Sequence, residues 1–132
     1  MAQDTETILE GGCACGAVRY TLNGSMGFSF HCQCRDCQYL SGTGHTSVFI
    51  CQQAELRTEG DLTWYPRHAP SGNIVRSGFC PICGTALMNE NSGYPDIAFA
   101  NAGTLDDPAL FAPTKVVHRE DGLAWDFVDP EG

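Results

Sequence analysis

At 132 residues the chain has room for one domain with a real core and is too short for two ordinary ones, so residues 1–132 are expected to form a single domain. Apolar residues make up 42% of it, which excludes a disordered chain. A formal net charge of −9 argues against sequence-independent binding to nucleic acid or to an anionic membrane.

Met1 to Gly12 contains neither a basic n-region nor an apolar h-region, so no secretion signal is expected. No apolar run approaches the roughly 18 residues of a membrane span. A cytoplasmic, reducing setting follows, where eight cysteines read as metal ligands before disulfides. Ala17 to Leu22 alternates, with Val18, Tyr20 and Leu22 on one face and Arg19 and Thr21 on the other, which predicts a strand. Asp36 to Ser41 has room for one helical turn. Thr46 to Cys51 is rich in β-formers, and Cys51, after Val48, Phe49 and Ile50, reads as a small buried apolar residue. Asp61 to Tyr65 is a short strand stopped by Pro66. Asn73 to Phe79, Thr85 to Asn89 and Asp96 to Asn101 are the next strands. Asp106 or Asp107 caps a helix start with Pro108 in its first turn. Lys115 to His118 and Leu123 to Phe127 are the last two strand candidates, and Trp64, Tyr65, Trp125 and Phe127 are expected to pack in the core or at its edges. His68 and His118 belong to no motif and read as solvated or hydrogen-bonded. Short strands at turn-spaced intervals predict an all-β domain with few or no helices.

Seven of the eight cysteines fall in three groups: Cys13-Ala-Cys15, Cys32-Gln-Cys34-Arg-Asp-Cys37 and Cys80-Pro-Ile-Cys83-Gly84. Two pairs complete a four-sulfur site at Cys13, Cys15, Cys80 and Cys83. Four thiolates on Zn²⁺ leave no open position, so this site is expected to be structural; iron is also held by four-sulfur knuckles. Because the two pairs lie about 65 residues apart, a shared metal would staple the N-terminal region to the middle of the sheet. The triplet Cys32, Cys34 and Cys37 supplies three sulfurs, and a metal with three protein ligands keeps a fourth position, as catalytic sites do. Water, a substrate thiol or a protein ligand can fill it. His45 and Cys51 are candidates, whereas His31 neighbours Cys32 on a strand and should point to the opposite face.

These motifs resemble, in order and over nearly the whole chain, the glutathione-dependent formaldehyde-activating enzyme family, which includes the centromere protein V domain. The resemblance rests on Gly11-Gly12-Cys13-Ala-Cys15-Gly16-Ala17-Val18-Arg19-Tyr20, on His31-Cys32-Gln-Cys34-Arg35-Asp36-Cys37 with Ser41-Gly42, and on Phe79-Cys80-Pro81-Ile-Cys83-Gly84-Thr85. Ala102-Gly103-Thr104-Leu105-Asp106-Asp107-Pro108 and Trp125 extend it. It implies a tent-like all-β fold with two zinc ions, one structural at Cys13, Cys15, Cys80 and Cys83 and one catalytic at Cys32, Cys34 and Cys37. It implies a carbon–sulfur lyase activity in which glutathione and formaldehyde give S-hydroxymethylglutathione, or the reverse. The partners are then a small thiol and a small aldehyde. Where the resemblance implies basic residues after the triplet, this chain reads Gln38-Tyr39, and Arg35 is the cation expected to offset the charge of a fourth thiolate. A non-catalytic zinc-stapled interaction module and a redox or metal-handling protein are the alternative readings.

Overall fold

The computed structural model describes residues 8–129. Two sheets dominate it. The smaller holds β1 (Ile8–Gly12), β2 (Arg19–Asn23) and β5 (Leu56–Glu59), all antiparallel, in the order β1-β2-β5. The larger holds β3 (Ser29–Cys32), β4 (Thr46–Gln52), β6 (Thr63–His68), β7 (Ile74–Phe79), β8 (Ala86–Asn91), β9 (Ile97–Asn101) and β10 (Lys115–Val117). Its seven strands run in the order β10-β3-β4-β9-β8-β7-β6, and only β10 and β3 pair in parallel. The described residues are β-dominated with one α-helix, as the turn-spaced pattern predicts.

Alternation places the core. Leu9 and Leu22 from the small sheet meet Phe49, Cys51, Ala98 and Ala100 from the large one. Val18 and Tyr20 meet Leu87 and Met88 in a second cluster that includes Cys13 and Cys80. The strand expected at Ala17 to Leu22 therefore faces inward through the residues that alternation selects. Alanines on β9 keep that strand low, so the small sheet lies close over it. Cys51 is 3% exposed inside the first cluster, as its apolar context predicts.

Three expectations are corrected. Pro66 does not stop its strand: β6 continues to His68, with Pro66 opposite Arg76. β6 is an edge strand, where a missing N–H on the solvent side breaks no ladder bond. Leu123 to Phe127 forms no strand, and Trp125 and Phe127 are 60% and 92% exposed rather than packed. Inward contact there falls to Asp126, whose carboxylate is buried by His45 and Gln33.

The helix α1 (Arg35–Ser41) is longer than the single turn expected. Cys34 is its N-cap, and the sulfur accepts from the Cys37 N–H at 3.4 Å. Gly42 closes it in the left-handed conformation at φ 75°, a backbone state that glycine adopts without a Cβ penalty, and its N–H bonds the Gln38 oxygen at 2.8 Å. The helix start at Asp107 and Pro108 is realised as one 3₁₀ turn over Pro108–Leu110, capped by the Asp107 carboxylate.

Candidate functional site

The seven grouped cysteines form two clusters in space, divided as the spacing predicts. Cys13 and Cys15 sit in the turn between β1 and β2, and Cys80 and Cys83 follow β7. Their sulfurs lie within 4.8 Å of one another, with Cys13 to Cys15 at 3.6 Å and Cys15 to Cys80 at 3.8 Å. A tetrahedral zinc with Zn–S near 2.3 Å needs sulfur–sulfur edges of about 3.8 Å, so this set fits the ion. Backbone amides already face the sulfurs: Val18 N–H to Cys13 at 3.3 Å, Ile82 N–H and Cys83 N–H to Cys80 at 3.4 and 3.5 Å. The Thr85 hydroxyl and backbone push Cys83 down to about 5. The cluster ties the small sheet to the large one beside Val18, Tyr20 and Leu87.

Cys32, Cys34 and Cys37 form the second cluster, with their sulfurs also within 4.8 Å of one another. Cys32 ends β3, Cys34 caps α1 and Cys37 faces back from its first turn, so a strand-to-helix turn aims all three at one point. Among the described residues no other His, Cys, Asp or Glu joins them. Hydrogen bonds from Cys32 and Cys37 push Cys34 down to about 2. Cys32, which donates to both neighbours, is pushed far above the ordinary thiol range. The hydrogen bond from Cys32 favours the Cys37 thiolate, but Cys34 and burial outweigh it and push it up to about 11. Three sulfurs sharing protons at this spacing are a donor set that a soft divalent cation fits in place of those protons.

The candidate fourth ligands lie elsewhere. Cys51 is in the core. His45 bonds the Asp126 carboxylate through Nδ1 at 2.9 Å, and His31 bonds the Ser47 hydroxyl through Nδ1 at 2.8 Å. The strand argument against His31 agrees with its pairing: His31 lies opposite Ser47 while Cys32 lies opposite Thr46, on the other face. Arg35 is exposed, donates to the Gln38 side-chain oxygen at 2.8 Å and stacks on the Tyr39 ring at 4.3 Å. Its guanidinium is thus fixed along the outside of α1.

Several residues around the triplet escape a reading by motif. Gln38, found where a cation was expected, is 6% exposed and braces the site. Its amide donates to the main-chain oxygens of Gln33 and Asp121, each at 3.1 Å. Gln33 in turn donates to Asp126 at 3.2 Å. His118 follows β10 directly, and Val117 pairs with Cys32. It takes a left-handed φ of 58°, a strained state for a residue with a Cβ, and bonds Glu120 at 3.2 Å. Lone Gln, Asp and His residues carry no spacing signal; the strand pairing of β10 with β3 brings them here.

Comparison with known proteins agrees with this layout. The family model described as "Glutathione-dependent formaldehyde-activating enzyme" matches residues 8–121. A Halomonas elongata protein named "Putative glutathione-dependent formaldehyde-activating enzyme" is 26% identical over 114 residues, covering 83% of this chain and 73% of that protein. The crystal structure of a Rhodobacter sphaeroides protein superposes with a TM-score of 0.63 at 21% identity, covering 82% of this chain and 99% of that one, which shows a shared fold. With the match spanning all three cysteine motifs, the chain belongs to the glutathione-dependent formaldehyde-activating enzyme family.

Proposed function

We propose that the protein is a zinc-dependent carbon–sulfur lyase that joins a small thiol to an aldehyde, with glutathione and formaldehyde as the pair its family name points to. The observation that carries this reading is the unequal grouping: four sulfurs in one cluster and three in the other. Cys13, Cys15, Cys80 and Cys83 hold a structural zinc, and Cys32, Cys34 and Cys37 hold the reactive one. A zinc bound by three sulfurs supplies positive charge that favours the thiolate form of a thiol at the remaining position.

The chain's own residues do the rest. The cap geometry of Cys34, whose sulfur accepts from the Cys37 N–H, holds the turn that brings the three sulfurs together. Gln38 fixes the turn that carries them. Arg35, one residue past Cys34, offsets negative charge as a further thiolate arrives. The thiol sulfur bonds to the carbonyl carbon, the carbonyl π bond opens, and the thiol proton ends on the oxygen. Holding both partners together supplies much of the rate.

The test is exchange spectroscopy by NMR, following glutathione, formaldehyde and S-hydroxymethylglutathione with zinc-loaded protein. The reading expects faster exchange with the native chain than with Cys34→Ser. Equal exchange rates would overturn it and favour a non-catalytic module.

A further inference from the structure

A cavity of about 300 Å³ lies between α1 and the face of β6 to β9. Its lining includes Tyr39, Leu40, Tyr65, Ser77, Phe79 and Asn101. Leu40 stands three residues after Cys37, on the same helix face, where side chains at that spacing sit about 5–6 Å apart. Leu40 thus puts one wall of the cavity within a helical turn of Cys37, while Phe79 and Gly84, beside Cys80 and Cys83, line another.

Its chemistry is distinctive. No side chain lining it carries a formal charge. Behind Ser77, Arg67 donates to the Ser77 hydroxyl at 3.0 Å and pairs with Asp36 at 3.3 Å, so the charge there is already neutralised. Asn101 spends its amide N–H on the Ala86 oxygen at 2.9 Å, while its side-chain oxygen is buried with no partner. That oxygen is closed off from the cavity, so Asn101 presents no open polar atom there and the wall it contributes is uncharged. Tyr39 and Tyr65, 73% and 63% exposed, flank the mouth with two aromatic faces. A carboxylate entering this space would lose its hydration with no cation to receive it. Formaldehyde is far smaller than the cavity.

We infer that this cavity holds the uncharged body of the electrophile, and that the enzyme takes aldehydes with an uncharged aromatic or branched apolar frame. The inference rests on the thiol-addition reading above. The step keeps the same balance: the thiol sulfur bonds to the aldehyde carbon and its proton ends on the oxygen, giving a hemithioacetal. Arg35, stacked over the Tyr39 ring and not part of the cavity lining, is left for a charged thiol partner.

Two experiments test it on the zinc-loaded protein. The first is a ¹H–¹⁵N NMR titration with 1,4-benzenedimethanol and with 4-(hydroxymethyl)benzoate, which share a frame and differ in charge. The expected result is shifts at Tyr39, Leu40, Ser77 and Asn101, with the diol binding at least about tenfold tighter than the carboxylate. Leu40→Phe, which narrows the cavity, and Tyr65→Ala, which removes an exposed wall, should each weaken the diol several-fold. Shifts mapping elsewhere, equal affinity for the carboxylate, or native affinity in both variants would overturn the inference. The second experiment compares kcat/KM with glutathione for 4-(hydroxymethyl)benzaldehyde, 4-formylbenzoate and formaldehyde. The uncharged aromatic aldehyde should lead by about tenfold. Turnover of formaldehyde without that lead would overturn the inference and leave the proposed function standing. The diol carries neither thiol nor aldehyde, so its titration decides whether the cavity is a site even if no aldehyde is turned over, and that last result would overturn the proposed function instead.

Discussion

The Gln38 side-chain amide donates to the main-chain oxygen of Asp121 at 3.1 Å, joining positions 83 residues apart across the triplet. The same amide holds the Gln33 oxygen, and the Gln38 oxygen accepts from Arg35. One buried side chain thus ties β3, α1 and the C-terminal segment together.

Replacing Gln38 with Leu keeps its bulk and removes the brace. Two main-chain oxygens then lose their side-chain partner, at a cost of about 1–3 kcal/mol. Urea unfolding of the metal-loaded protein should show a lower midpoint with an unchanged slope. Gln38→Lys should cost more, because it places an ammonium at a position only 6% exposed.

If each cysteine cluster holds one zinc, as proposed, the two should respond differently to loss of one sulfur. Cys34→Ser should then bind one zinc fewer per chain than the native protein, measured by mass spectrometry without chelator, with far-ultraviolet circular dichroism unchanged. Cys80→Ser should unfold or aggregate the chain, because that cluster joins the two sheets and its binding energy is folding energy. A strong chelator should reproduce the two losses in order, triplet first.

A methyl group at Gly11 has nowhere to go. It would lie 2.4 Å from both the Thr104 carbonyl oxygen and the Tyr20 hydroxyl. Tyr20 is 2% exposed and bonds the Thr104 hydroxyl at 2.8 Å, so neither neighbour moves freely. Gly11→Ala should destabilise by about 1–3 kcal/mol through overpacking, read from chemical denaturation. Tyr20→Phe removes the hydroxyl but leaves the ring carbon Cζ at 2.5 Å and the Thr104 oxygen at 2.4 Å, so the double variant should recover only part of that cost.

Arg19 and Asp106 form a bidentate ion pair, with one contact at 2.9 Å, that fastens β2 to the segment after β9. The Arg19 hydrogen bond holds the Asp106 carboxyl below its ordinary range. A depressed carboxyl contributes stability that is present above the unfolded-state value of about 4 and is lost as pH falls through the lower folded value. Arg19→Met should therefore lower stability slightly near neutrality, where the exposed pair makes its full small contribution, and the two chains should converge as pH falls, flattening the acid limb. Denaturation midpoints taken from pH 7 down to 3 would check this.

The division of labour between local signal and tertiary contact is visible residue by residue. Val18, Tyr20 and Leu22 announce their strand by alternation, and burial confirms the face. Pro66 misleads, because a proline's effect depends on whether its strand lies at an edge, and edges are a property of the finished sheet. Leu123 to Phe127 misleads for a related reason: β-forming side chains make a strand only when a neighbour is free to pair, and here Asp126 is taken by His45 and Gln33.

Ligand spacing and strand alternation are local properties, so the four-to-three grouping of the cysteines and the β-rich frame are legible in the chain before it folds. Long-range pairing sets the rest: His45 pairs with Asp126 and stays out of the triplet, Gln38 is a brace where a cation was expected, and an uncharged cavity is walled by Leu40 of α1 and by Asn101 of β9. Each depends on which distant strands become neighbours, and pairings such as Val117 with Cys32 are set by the summed burial of both sheets, which no short window of sequence contains.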